Sequence, residues 1–304
     1  MARQLIEEKR LLRISVYGAL AFALVAMVWG VLEGSNVMLF DGIYSLISVG
    51  LTLVSLISAS FMEKKDNHRF PFGKEMMEPM VILGKFLVIG ILCLFAFFSG
   101  LTALLSGGHE VDNVSGAIYA ILAAVGCYLV YFFLHRKGKN MDSGFVEAES
   151  QQWLMDFFLS LAVLAGFVSG HFMENTPLAS YTRFIDPLMV MLLSGYFLKV
   201  PITSIGKQVR EVLDMAADEK YLKLCREIVS QLEKKYGFEE SFLRVSKSGQ
   251  KLFIEIDFVV NPKGWQPTLA EQDMIREEIL SQLSEVPLVK WLNVAFTNDR
   301  KWAL

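Results

Sequence analysis

Apolar residues in this chain gather into long uninterrupted runs before residue 206 and into short periodic segments after about residue 209. A helix needs about 20 predominantly apolar residues to cross a ~30 Å hydrocarbon layer. Six runs meet that length, over residues 12–32, 37–62, 79–105, 114–134, 146–172 and 184–205. The first has no small-residue cleavage site and leads straight into the second, so it is read as an anchor and not a secretory signal.

The later part has a different rhythm. Residues 218–236 place Tyr221, Leu222, Cys225, Ile228, Val229 and Leu232 on one side of a helix, with Gly237 as its stop. Residues 242–245 and 251–260 flank Ser248-Gly249, a hairpin signal, and Leu252, Ile254, Ile256, Phe258 and Val260 alternate as in a half-buried strand. Thr268 and Glu271 have capping-box spacing for a helix to about residue 283, and residues 288–296 read as a last strand. The expected architecture is a six-span helical membrane domain over 1–208 and an α/β domain over 209–304, with residues 214–218 as hinge.

Composition agrees: hydrophobic side chains make up 53% of 304 residues, with 23 Phe and a mean hydropathy of +0.41. Charge orients the bundle. Lys and Arg precede the first span (Arg3, Lys9, Arg10, Arg13) and occupy the connections after spans two, four and six. The connections at 33–36 and 106–113 have neither, and the one after span five has only Arg183. The positive-inside rule then puts both termini in the cytoplasm. With no targeting presequence, a bacterial-type plasma membrane is the expected location. The net charge of −3 says nothing useful about nucleic acid; no basic face stands out, and no nucleic-acid partner is expected. Cys93, Cys127 and Cys225 have neither metal-ligand spacing nor a disulfide pattern and read as reduced packing residues.

Polar residues inside the spans carry the chemistry, because a charge at the bilayer centre costs about 2.5–3.5 kcal/mol on insertion scales. In span two, Asp41, Tyr44 and Ser48 recur at i, i+3 and i+7. In span five, Gln152 and Asp156 are four residues apart, with Ser160 one turn further. Two helices with oxygen ligands at this spacing suit a hard cation. The same residues have ordinary structural uses: serines bond back to carbonyls, and glutamine joins neighbouring helices. Glu149 is expected to be a solvated or snorkelling carboxylate, with a cation-admitting role as the alternative. Lys85 either pairs with an acid or snorkels to the cytoplasmic face.

FDGIYSLISV resembles the second-span signature Ala-Asp-Gly-Leu-His-Ser-Leu-Ser-Asp of the cation diffusion facilitator family. NHRFPFGKEMMEP is similar to that family's loop between spans two and three, and its GKExxEP element to the manganese-type branch. IDPLMVMLLSGYFLK with REVLDMA is similar to its sixth span and the start of its cytoplasmic domain.

The resemblance implies a six-span homodimeric carrier that exchanges a divalent metal for protons and ends in a ferredoxin-like domain. It also implies a transport site at Tyr44, Ser48, Gln152 and Asp156, where the family has His or Asp followed by Asp in each helix. Only Asp156 keeps the family's ligand type. Such an all-oxygen set favours Mn²⁺, Mg²⁺ or Fe²⁺ over Zn²⁺. Asp41 is a supporting residue or a second carboxylate.

The family's loop ligands map onto Lys65, His68 and Phe72, and the segment from residue 209 on contains no His, so the cytoplasmic domain is expected to dimerise by packing. Scattered Glu255, Asp257 and Asp273 read as solvated. No resident cofactor is expected, since the metal is cargo, and the partners are a second copy and the lipid bilayer. Two other readings stay open: a monovalent cation/proton antiporter on the same fold, and a non-transporting scaffold or sensor with a degenerate site. An enzyme is disfavoured because no nucleophile and base share suitable spacing within the spans.

Overall fold

The computed structural model describes residues 2–33, 36–64, 66, 68–108, 114–139, 141, 143–173 and 179–304. The backbones of Asp41 and Tyr44 are described, but their side chains are not, and Lys65 lies outside the described residues. The chain forms two compact units, Met1–Pro71 with Met80–Gln208, and Phe72–Pro79 with Val209–Leu304.

The first unit is helical: α1 (Ala2–Glu33), α2 (Asn36–Glu63), α3 (Met77–Leu105), α4 (Val114–Gly138), α5 (Gly144–Met173), α6 (Ile185–Phe197) and α7 (Lys199–Val212). Among the described residues five helical segments are long and apolar enough to cross a membrane: Ile6–Leu32, Ser45–Glu63, Met77–Leu105, Ala117–Gly138 and Tyr181–Val212. The expected fifth span falls on α5, which has 30 residues and opens with a polar stretch containing Glu147, Glu149, Gln151 and Gln152. The last span is divided at Leu198, just before Pro201, whose missing N–H removes the bond to the Phe197 carbonyl.

Side-chain placement in this unit is inverted relative to a water-soluble bundle. Ala19, Ala23 and Ala26 of α1 and Ala120, Ala123 and Ala124 of α4 are buried, as are Ser15, Ser48, Thr52, Ser55 and Ser194. Leu24, Val28, Ile57, Ile91, Phe95, Leu122, Leu129 and Leu192 are exposed. Small and polar residues line the helix contacts while bulky apolar ones face outward, as lipid as solvent requires.

The second unit holds α8 (Glu219–Tyr236), β1 (Glu240–Ser248), β2 (Lys251–Val259), α9 (Leu269–Gln282) and β3 (Val289–Thr297). Gly237 ends α8 in the left-handed region at φ 71°, a conformation that costs glycine nothing. The hairpin turns at Gly249-Gln250, and Thr268 and Glu271 form the reciprocal capping box of α9. The sheet has order β1-β2-β3, antiparallel then parallel, with α9 making the crossover. Tyr221, Cys225, Ile228 and Leu232 pack with Leu252, Ile254, Ile256, Phe258, Ile275 and Ile279 in one core.

Three details correct the sequence reading. Residues 216 and 217, inside the expected hinge, pair with β1 of this unit: Ala216 bridges to Ser246, and the Ala217 N–H donates to the Val245 carbonyl at 2.9 Å. Asp257 is buried and accepts from Arg244 Nη1 at 2.7 Å, while Arg244 Nη2 also donates to the Ala303 carbonyl at 2.8 Å. Segment 72–79 belongs to this unit: Lys251 Nζ donates to the Phe72 carbonyl at 3.0 Å, pairs with Glu75 and lies over the Trp291 ring.

Candidate functional site: a polar seam between the membrane helices

Helix α2 carries Ser48, Thr52 and Ser55 at i, i+4 and i+7, all buried, which continues the Asp41–Tyr44–Ser48 stripe inward. Helix α5 carries Glu149, Gln152, Trp153 and Asp156 at i, i+3, i+4 and i+7. These two stripes meet. Gln152 Nε2 donates to Ser48 Oγ at 2.5 Å, with Gln152 3% exposed and Ser48 9% exposed.

The other end of the Gln152 amide is the informative one: Oε1 is buried and accepts no hydrogen bond from the described residues. An unsatisfied buried acceptor costs about 1–3 kcal/mol, so most are paired. An inward-facing amide oxygen of this kind suits a cation. Asp156, one turn along α5, is half-buried. Of the five residues expected at the site, Ser48 and Gln152 are therefore in direct contact and Asp156 lies one turn away. The side chains of Asp41 and Tyr44 lie outside the described residues.

Gly42, in the same signature, has a steric reason. A Cβ there would fall 2.6 Å from Met27 Cγ and 3.3 Å from the Ala23 carbonyl oxygen, so glycine lets α2 lie against α1.

A second cluster adjoins the first. Glu149 is 1% exposed, which overturns its reading as a solvated or snorkelling carboxylate. One oxygen pairs with Lys85 Nζ of α3, itself 2% exposed. The other accepts from Ser15 Oγ of α1 at 2.6 Å and Thr52 Oγ1 of α2 at 3.0 Å. Ser15 accepts in turn from Trp153 Nε1 at 2.8 Å. The i, i+3 spacing of Glu149 and Gln152 is the sequence signal that put Glu149 on the site's face, and Thr52 follows by one more step of four from Ser48.

Among the described residues no three His, Cys, Asp or Glu side chains gather as a metal cluster. His68 is exposed. Cation binding at the seam would thus rest on hydroxyl and amide oxygens with one carboxylate, a set that suits hard ions.

Apolar outward faces enclosing a polar, oxygen-lined seam define a helical membrane protein that handles cations. The family model described as the cation efflux transmembrane domain matches residues 12–213, and the chain belongs to this family, the cation diffusion facilitators. It is a cation efflux transporter and not an enzyme.

The chain is similar to the magnetosome protein MamB of Magnetospirillum gryphiswaldense, at 22% identity over 86% of this chain and 84% of that protein. It is similar to metal tolerance protein 2 of Oryza sativa subsp. japonica, at 24% identity over 84% and 69%. It is also similar to the zinc transporter ZitB of Pectobacterium atrosepticum, at 23% identity over 68% and 61%.

Proposed function

We propose that the protein exports a divalent metal ion in exchange for protons, by alternating access at a site formed by Ser48, Gln152 and Asp156, with Tyr44 and Asp41 as further oxygen donors from α2. The carrying observation is the buried Gln152 Oε1, an acceptor without a donor among the described residues, beside a hydroxyl and one turn from a carboxylate.

Hydroxyl, amide and carboxylate oxygens with retained water favour Mn²⁺, Mg²⁺ or Fe²⁺. Zinc is disfavoured by the lack of imidazole and thiolate among the proposed ligands, despite the likeness to a zinc transporter. Asp156 is the anionic anchor and the group that takes a proton when the metal leaves. The names of the relatives support metal as the cargo. Residues 1–71 and 80–208 form the transport domain, and 209–304 hold two copies together. Both termini face the cytoplasm of a bacterial-type inner membrane.

The test is Mn²⁺ flux into proteoliposomes with lumenal pH recorded in parallel. Flux with an accompanying pH change is expected from the wild type, and its loss from Asp156→Ala. Unchanged flux in that variant would sink the site assignment, and no saturable flux in the wild type would sink the transport reading.

A further inference from the structure

Lys85–Glu149 is the most deeply buried ion pair among the described residues. As a structural tie it is a poor choice, because desolvating two charges offsets most of their attraction and an apolar pair of similar volume would hold the helices as well. Every partner of Glu149 is a donor: the Lys85 ammonium on one oxygen, Ser15 and Thr52 on the other. A hydroxyl that donates in this arrangement can turn its lone pairs toward a cation in another.

Position adds the second part. Glu149 is one turn from Gln152 on α5, and Thr52 is one turn from Ser48 on α2, with its hydroxyl 2.9 Å from the Ser48 carbonyl oxygen and 3.0 Å from Glu149. The ion pair therefore adjoins the contact that leaves Gln152 Oε1 open. Lysine is a compact point charge on a flexible four-carbon stem, the side chain closest to a mobile cation on a leash.

We infer that Glu149, Ser15 and Thr52 form a second cation station beside the Ser48–Gln152–Asp156 site, and that the Lys85 ammonium fills it as a tethered substitute cation which the transported ion displaces. The inference rests on the proposed transport site. Tethering gives the ammonium a high effective concentration, so a free ion must outcompete it to occupy the station. The empty carrier then never leaves Glu149 as a bare buried anion.

The test is calorimetric titration of the purified full-length protein with Mn²⁺. Because the wild-type ammonium competes for the station, Lys85→Met is expected to bind Mn²⁺ at its Glu149-dependent site at least about tenfold more tightly than the wild type, and Lys85→Arg, which keeps the charge, to behave as the wild type. The tight site should vanish in Lys85→Met/Glu149→Gln and persist in Lys85→Met/Asp156→Asn. Thermal unfolding guards against a folding defect: Mn²⁺ should raise the melting temperature of Lys85→Met more than that of Lys85→Met/Glu149→Gln. Equal affinity at the Glu149-dependent site in Lys85→Met and wild type overturns the inference, as does a Lys85→Met protein that stays unfolded at saturating Mn²⁺. If Asp156→Asn alone leaves wild-type Mn²⁺ binding intact, the transport-site reading fails by itself, while the Glu149-dependent site still reports on the station.

Discussion

Gln152 of α5 reaches across to Ser48 of α2, nitrogen to hydroxyl oxygen at 2.5 Å, and with the Thr52–Glu149 bond one turn away it joins the two polar stripes of the bundle. Interhelical hydrogen bonds in membranes are worth about 0.6 kcal/mol on average and up to about 1.7. Ser48→Ala should lower the melting temperature in detergent only modestly. Ser48→Asp sets a second carboxylate beside the Gln152 amide and should tighten Mn²⁺ binding at least about tenfold, since ligand charge tunes affinity for hard cations. Calorimetry of both variants checks the pair of outcomes.

Gly100 and Gly84, both on α3, should respond oppositely to alanine. A Cβ on Gly100 would lie 2.8 Å from the Pro187 carbonyl oxygen and 3.1 Å from the Met191 backbone nitrogen, so α6 must give way. Gly84 has nothing within 4 Å of that position. Gly100→Ala is expected to cost about 1–3 kcal/mol, the usual range for overpacking. Gly84→Ala should gain up to about 1 kcal/mol from helix propensity. Melting temperatures of the two variants in one detergent decide it.

Acid should loosen the contact between α8 and α9. Both Glu278 oxygens accept from Lys235 Nζ at 2.8 Å, and Tyr236 OH donates to Oε2 at 3.0 Å. The Lys235 bond, with help from Tyr236, holds the Glu278 carboxyl below its ordinary range. A depressed folded-state value stabilises above the unfolded value and is lost as pH falls through the folded one. The melting-temperature advantage of wild type over Glu278→Gln should therefore be full at neutral pH and fade below about pH 4. Because the pair is partly exposed, the difference should be small and shrink further in high salt.

Cys225 should resist alkylation while the domain is folded. It is 2% exposed, and burial pushes its thiol up to about 11 from 9.0. Only the thiolate reacts, so at pH 8 its reactive fraction is about 100-fold below that of a free thiol. Mass spectrometry after iodoacetamide treatment should find Cys225 unmodified in the native protein and modified after denaturation.

Local signals were legible where a local rule decides the outcome. Gly237, the Ser248-Gly249 turn and the Thr268–Glu271 box each act within a few residues, and each marks its element in the structure. The seam was half legible. Spacing placed Ser48 and Gln152 each on a polar stripe, and the family resemblance set the stripes face to face; Glu149 read as solvated because hydropathy registers a charge without its partner, and Lys85, open to pairing with an acid or to snorkelling, is 64 residues away. Asp257 misled for the same reason, its arginine lying on the neighbouring strand. No pattern in residues 72–79 reveals that they pack with Lys251 and Trp291.

That last contact sets an order of assembly. Phe72 emerges from the ribosome 179 residues before the lysine that binds its carbonyl. At about 5–20 residues per second the interval is roughly 9–36 s, with Trp291 later still. The strap is thus made first and waits, while α3 to α7 are synthesised, for the sheet that will hold it. A chain begun at Val209 lacks the strap, and with it the Phe72 and Glu75 partners of the Lys251 ammonium and the Trp291 ring.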